Sequence, residues 1–270
     1  MKVLFLTAAL VLVSCSHKYP DPKSPLPENM EEAVTSNFRT PENEERDEYQ
    51  HPKETLDFFG IKPNMTVVEI SPGAGYFTEI LAPYLAKQGQ LYLAVPRMPP
   101  RPSPVLKENE KKLQDILLRN HEVQNHTKII PFEPVDKRNK IPKNFADAVV
   151  SFNSVHNWVA KRSAHASFQF FFDVLKPGGT LGIVQHRIHD GKKRVPKSGY
   201  LYEKEVIFFA TKAGFKLVGR SEINANPKDT ADYPTGVWTL PPTYRLGEQD
   251  KDKYEDIGES DRMTLKFVKP

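Results

Sequence analysis

Short apolar runs alternate with longer amphipathic segments along most of the chain. MTVVEI leads into YFTEILAPYLAK, QLYLAV into SPVLKENEKKLQDILLRN, and TKIIPF is followed by FADAVVSF. The alternation continues through SAHASFQFFFDVL, TLGIVQH, EKEVIFFATKAG and FKLVGRSEI and closes on RMTLKFVK. Brief β-branched runs read as strands, and apolar positions three or four apart read as helices that cover them. Seven strands separated by helices predict an α/β, doubly wound, mostly parallel seven-stranded sheet. The last strand has no helix before it, which suits antiparallel pairing at one side of that sheet. Between it and FKLVGRSEI lies a long polar stretch, residues 224–261, carrying PTGVWTLPPTYR. A segment of that length in a compact domain is either functional or partly structured.

The N-terminus follows other rules. Lys2 precedes an apolar run over residues 3–13 that ends in LVSC. As a helix it would span about 16 Å, against roughly 30 Å for a bilayer core, so it has signal-peptide geometry. LVSC also resembles a bacterial lipobox, which predicts that residues 1–15 form a lipoprotein signal and that Cys15 is lipidated. Several acyl chains on one Cys anchor stably where one does not, so the expected partner is a membrane. Ser16 after the Cys favours the outer membrane in the lipoprotein sorting pattern. The expected location is the cell envelope, lipid-anchored and facing the periplasm. Cys15 is the only Cys, so no disulfide forms within the chain. Residues 16–51 are rich in Pro, Glu, Asn and Asp and read as a flexible linker, within which MEEAVTSNF suits a short helix against the fold. The folded domain is expected over residues 52–270.

Composition narrows the classes. With 270 residues, 39% of them apolar and 27% charged, the chain can bury one sizeable core. The net charge of +4 is modest, and the basic residues are scattered apart from Lys192, Lys193 and Arg194 with Lys197 nearby. That cluster reads as a solvated loop, and no nucleic-acid partner is expected.

The candidate chemistry begins at VVEISPGAGY. The first strand should end near Glu69, and Ser71-Pro72-Gly73-Ala74-Gly75 should turn into a helix starting near Tyr76. Gly73 and Gly75 let the backbone turn sharply and let a ligand approach the helix N-terminus, at the carboxyl end of a strand where open α/β sheets bind ligands. A purely structural tight turn is the alternative.

The acid-x-small-x-Gly-x-Gly spacing resembles the first motif of class I S-adenosylmethionine-dependent methyltransferases, which share a Rossmann-like fold. Phe145 to Val150 as a fourth strand and Leu175-Lys176-Pro177-Gly178-Gly179 before the fifth fit the same pattern. HPKETLDFFGIKPNMTVVEI, SFNSVHNW, GIVQHRI, SEINANPKDT, GVWTLPPTYRLG and IGESDRMTLKF are similar to a bacterial family of predicted methyltransferases, over residues 51–270.

The resemblance implies S-adenosyl-L-methionine as cofactor, held by Glu69, Ser71, Pro72, Gly73, Gly75, Tyr76 and Asn153. It also implies an acid at the end of the second strand for the ribose, where this chain has Pro96. Glu133, past the third strand, would meet the adenine amine or stand as an exposed carboxylate. Asn153 and His156 occupy the place where methyl transfer occurs; His156 would be a base, or it caps the next helix. Trp158 would wall the pocket for an acceptor. His186 and Arg187 face an anionic acceptor, and no metal site is expected. The acceptor would be a small molecule or an envelope component. The alternative is a catalytically inactive or repurposed fold that binds a small ligand.

Overall fold

The computed structural model describes residues 24–134 and 141–270. The expected signal at residues 1–15, with Cys15, lies outside them, as does the first part of the expected linker. From the N-terminus run α1 (Met30–Val34), α2 (Pro41–Glu44), α3 (Asp47–Gln50) and α4 (Pro52–Phe59). Then come β1 (Thr66–Ile70), α5 (Thr78–Leu85), β2 (Gln90–Val95), α6 (Pro104–Leu118), α7 (His121–His126) and β3 (Thr127–Pro131). The second half holds β4 (Ala146–Phe152), α8 (Val155–Ala160), α9 (Ala164–Val174), β5 (Leu175–His186), α10 (Glu203–Lys212), β6 (Lys216–Ser221), α11 (Lys251–Ile257) and β7 (Arg262–Val268).

Local chemistry sets these boundaries. Asn29 and Ser103 cap α1 and α6 with side-chain oxygens, and Pro104 takes the first turn of α6, where no N–H is needed. Gly60, at φ 78°, stops α4. The strands pair in the order β3-β2-β1-β4-β5-β7-β6, with β1 to β5 parallel and β7 antiparallel to both neighbours. This is the expected doubly wound sheet, and β7 slots between β5 and β6 as the antiparallel strand.

Alternate strand residues serve opposite faces. Val67, Leu91 and Val150 join the core that contains α4, α5 and α6, whereas Val68, Ala94 and Val149 join the one under α8, α9 and α10. A third, smaller cluster made by Ile188, Tyr200, Tyr233, Val237, Leu240 and Tyr254 organises the polar stretch 224–261. That stretch is therefore structured, and it sits at the carboxyl end of β5, where His186 pairs with Arg262.

The linker expectation needs correcting from residue 24 onward. Leu26, Met30, Ala33 and Phe38 are buried in the first core, so this arm is part of the fold. Its buried charge is paired. Arg39, 4% exposed, forks onto Asp47, with its second nitrogen 2.7 Å from Oδ1. Glu79 on α5, 2% exposed, accepts Thr40 N–H at 3.0 Å, Asn43 Nδ2 at 2.8 Å and Arg119 at 3.0 Å. Removing one member of a buried charged network costs about 3–5 kcal/mol. Glu79→Ala should lose that much in chemical denaturation and expose the arm to protease; a loss below about 1 kcal/mol would mean that the arm is not held through this carboxylate.

Candidate functional site

At the end of β1 the backbone turns at Ser71, φ 55°, whose N–H donates to Ala94 O at 2.8 Å. Gly73 and Gly75 follow at φ 61° and 92°, a region that favours glycine. The two differ in purpose. A Cβ on Gly75 would lie 2.5 Å from Ile116 Cδ1, so this glycine lets α6 pack against the loop. A Cβ on Gly73 would meet nothing within 4 Å, because Gly73 faces open space.

Beside the loop, at Pro72 and Ala74, opens a small cleft of about 150 Å³. Of the residues named from the sequence, Glu69, Ser71, Pro72, Tyr76 and Asn153 line it, whereas Gly73 and Gly75 do not. Phe77 and Phe152 stack 3.5 Å apart between centroids to form part of its lining. Asn153 enters at φ 53°, held by its N–H on Val184 O at 2.8 Å. Its Oδ1 is buried with no hydrogen-bond partner among the described residues. Buried polar atoms are nearly always satisfied, so this acceptor suits a donor brought by a ligand.

Glu69 is 1% exposed, and its Oε2 accepts Thr78 Oγ at 2.7 Å, tying the end of β1 to the first residue of α5. Burial pushes this carboxyl up to about 7, with the Thr78 hydrogen bond opposing. The Tyr76 hydroxyl donates to Asp47, and the guanidinium groups of Arg39 and Arg46 lie over its ring, 5.2 and 5.0 Å from the centroid. Burial and the neighbouring carboxylate raise the Tyr76 phenol, so it stays a donor.

Asn43, Arg46 and Gln50 of the arm complete the cleft wall. Sequence reasoning missed all three. Arg46 Nε donates to Glu259 at 2.7 Å, and Gln50 donates to the same carboxylate. Burial works to raise Glu259, but Arg262 and Arg46 outweigh it and hold this carboxyl below its usual range.

Beyond Asn153, α8 carries His156 and Trp158. Trp158 is 4% exposed and packs edge-on against Phe132, Phe168 and Phe171, so it is a core residue and does not wall an acceptor pocket. His156 stands beside His186 and Trp238, with ring centroids 5.6 and 5.7 Å away. Burial lowers the His156 imidazole to about 4, and burial with neighbouring His156 and Arg262 lowers His186 well below its ordinary value. Both rings are neutral near pH 7.

Arg187 does not face an anionic acceptor. It makes four hydrogen bonds of 2.6 to 2.9 Å with Asp261 and Glu222, which consume its charge internally. His189 lies 3.1 Å from Asp261, and Arg194 pairs with Glu205. No group of three His, Cys, Asp or Glu side chains suited to a metal occurs among the described residues. No helix among them is long and apolar enough to cross a membrane.

At the end of β2, Pro96 is exposed and offers no side-chain acceptor. Glu133 comes instead from beyond β3, and its Oε1 accepts the Arg97 N–H at 3.2 Å. The residues therefore fit the amino-acid end of S-adenosylmethionine: buried acceptors at Asn153 and Glu69, an open Gly73, and Arg46 nearby. The ribose end has no carboxylate from β2.

No protein-family model matches the chain, and no curated protein matches it in sequence. Solved structures do match. A SAM-dependent methyltransferase from Aquifex aeolicus has a TM-score of 0.56 at 16% identity, over 90% of this chain and 100% of its own. The 4+2 cyclase SpnF has a TM-score of 0.56 at 11% identity, over 82% of this chain and 81% of its own. Geranyl diphosphate methyltransferase, solved with GPP and sinefungin, has a TM-score of 0.53 at 12% identity, over 82% and 77%. Likeness at such identity establishes the Rossmann-like methyltransferase fold, and activity must be argued from the site.

The Glu69 carboxyl gives this site a pH signature. Its folded value of about 7 exceeds the ordinary 4.5, so the folded chain holds the proton longer. Its contribution to stability is present in full below about pH 4.5 and is lost as pH rises through about 7, by about 3 kcal/mol. Glu69→Gln keeps an acceptor for Thr78 without the charge. The variant should gain stability relative to the parent across that window in urea titrations; a constant difference would mean that Glu69 titrates as an ordinary carboxylate.

Proposed function

We propose that this chain is an S-adenosylmethionine-dependent methyltransferase whose cofactor occupies the cleft beside Gly73. The observation that carries the reading is the buried, unsatisfied Asn153 Oδ1 in a cleft that the Ser71–Pro72 turn and Ala74 help to line. When bound, the cofactor supplies an electrophilic methyl group on a sulfonium. The chain's part is to bind and align. Asn153 Oδ1 and the Glu69 carboxyl accept from the ammonium of the methionine end, and Arg46 offers its positive charge to the carboxylate. Phe77 and Phe152 give an apolar surface that excludes water, and the Tyr76 ring packs alongside them. Methyl transfer is an in-line displacement that gains mostly from such alignment.

A second reading, a ligand-binding fold without transfer, draws on Pro96 and on a structural neighbour that is a cyclase. A lost hydrogen bond to a charged partner is worth about 1.5–3 kcal/mol, roughly tenfold to a hundredfold in affinity. Isothermal calorimetry with S-adenosylmethionine and S-adenosylhomocysteine separates the readings. Binding of both ligands, weakened roughly tenfold to a hundredfold in Asn153→Ala and abolished in Gly73→Asp, supports this cofactor placement. No heat at millimolar ligand from folded protein would sink it.

We also propose that the protein is exported and held in the envelope through acylated Cys15, on the outer membrane, with a small molecule or an envelope component as acceptor. The support is the short apolar run and LVSC. Mass spectrometry of the mature N-terminus should find an acylated Cys15, and Cys15→Ser should move the protein out of the membrane fraction. An unprocessed N-terminus in the cytosolic fraction would remove this part of the reading.

A further inference from the structure

Gln185 is the last residue but one of β5 and is 0% exposed. Its amide is bound at both ends by backbone. Oε1 accepts the His156 N–H at 3.4 Å, and Nε2 donates to Gly199 O at 3.0 Å. Turning the amide over would set oxygen against the Gly199 carbonyl and N–H against the His156 N–H, so the orientation is determined.

Gly199 itself cannot drift. It sits at φ 86°, and a Cβ there would lie 2.5 Å from Val237 Cγ2. Across from it, Gly236 is at φ 64°, and a Cβ there would lie 2.1 Å from Ser198 O. The Val237 N–H closes this clasp on Ser198 O at 2.9 Å. The interlocked glycines thus hold the carbonyl that orients Gln185, and they seat Trp238 edge-on at the His156 ring.

The consequence falls on His156. Its Nδ1 lies 3.4 Å from the same Gln185 Nε2, an N–H group. The Gly199 carbonyl takes one of the two N–H bonds of this amide at 3.0 Å, and the other is shared between Nδ1 and the His186 carbonyl, each at 3.4 Å; an Nδ1–H would set a donor against this NH₂, so the arrangement favours a bare Nδ1 with the proton on Nε2. We infer that Gln185 is a positioning residue that makes His156 present an Nε2–H to the ligand, so that this ring donates a hydrogen bond instead of taking a proton. The group it suits is a carbonyl or carboxylate oxygen of the molecule bound beside the cleft, flanked by His186 and Trp238. This step about the acceptor rests on the methyltransferase reading; the tautomer does not. A base at this position would need the other tautomer, with Nδ1–H facing an acceptor.

The groups that face this ring are the neutral His186, the neutral Gln185 and the Trp238 indole. Arg262, whose charge also acts on His186, is itself tied to Glu259 at 2.6 Å. No carboxylate among the described residues is bonded to His156, so none competes to pull the proton to Nδ1.

The test is histidine tautomer NMR on the full-length chain, using two-bond proton–nitrogen correlations, with His156→Gln identifying the signal. The expected spectrum at neutral pH is one protonated Nε2 and one bare Nδ1. An Nδ1–H tautomer, or a doubly protonated ring, overturns the inference. The wild-type spectrum decides this alone; Gln185→Glu, where it folds, should invert the tautomer, because a carboxylate only accepts. Titration with benzoate should shift the His156 Nε2 signal and titration with benzylamine should not; the reverse order, or no shift from benzoate, overturns the oxygen-binding assignment. An Nε2–H ring in a protein that gives no heat with S-adenosylmethionine would leave the positioning role standing and defeat only the methyltransferase reading.

Discussion

The Glu259 carboxylate is the contact through which the separate parts of this molecule meet. It is 3% exposed and receives Arg46 and Gln50 from the arm and Arg262 from the first position of β7. Arg262 also reaches back to the Tyr49 carbonyl. A buried carboxylate is costly unless its oxygens are filled, and these are filled by two guanidinium groups and an amide. The geometry requires that the arm, the end of the insertion and the β5–β7 pair be in place together. The arm wall of the cleft beside the Gly loop is therefore stabilised by this charge cluster.

The same logic of paired burial explains where the sequence was readable and where it was not. The mostly parallel sheet was legible because MTVVEI, QLYLAV and FADAVVSF are apolar on both faces, as buried parallel strands are. The loop at Ser71 to Gly75 and its place at the sheet's carboxyl edge were legible for a related reason, since glycine at positive φ has few substitutes. Of residues 24–51 only the short helix expected at MEEAVTSNF was legible, and it is α1, packed on the core. Counting Pro, Glu and Asn predicts a segment with little to bury, but Arg39 and Gln50 are buried through partners on Asp47 and Glu259, which no composition records. Asn43 and Arg46 of the cleft were lost with them.

Helical period accounts for a second correction. SVHNW reads as a ligand-facing loop when taken as a string. Once α8 begins at Val155, residues three apart share a face, so Val155 and Trp158 turn into the core while His156 and Asn157 point elsewhere. Arg187 failed differently. A basic residue at the ligand edge suggested an anion site, but its partners Glu222 and Asp261 come from distant sequence and were invisible until β6 and β7 were placed.

The sheet supplies the Gly loop, Glu69 and Asn153, yet it leaves the cleft one-sided. The arm closes one side with Asn43, Arg46 and Gln50, and the insertion closes the neighbouring histidine cluster with Trp238. Any molecule bound there touches the arm as well as the sheet, so its binding free energy adds to the docking of the arm, by ordinary linkage. The reverse holds equally: loosening Glu79 or Glu259 weakens the cleft without altering one residue of the Gly loop. In this chain the sheet positions the chemistry, and two segments outside it decide how much of the cleft exists to be filled.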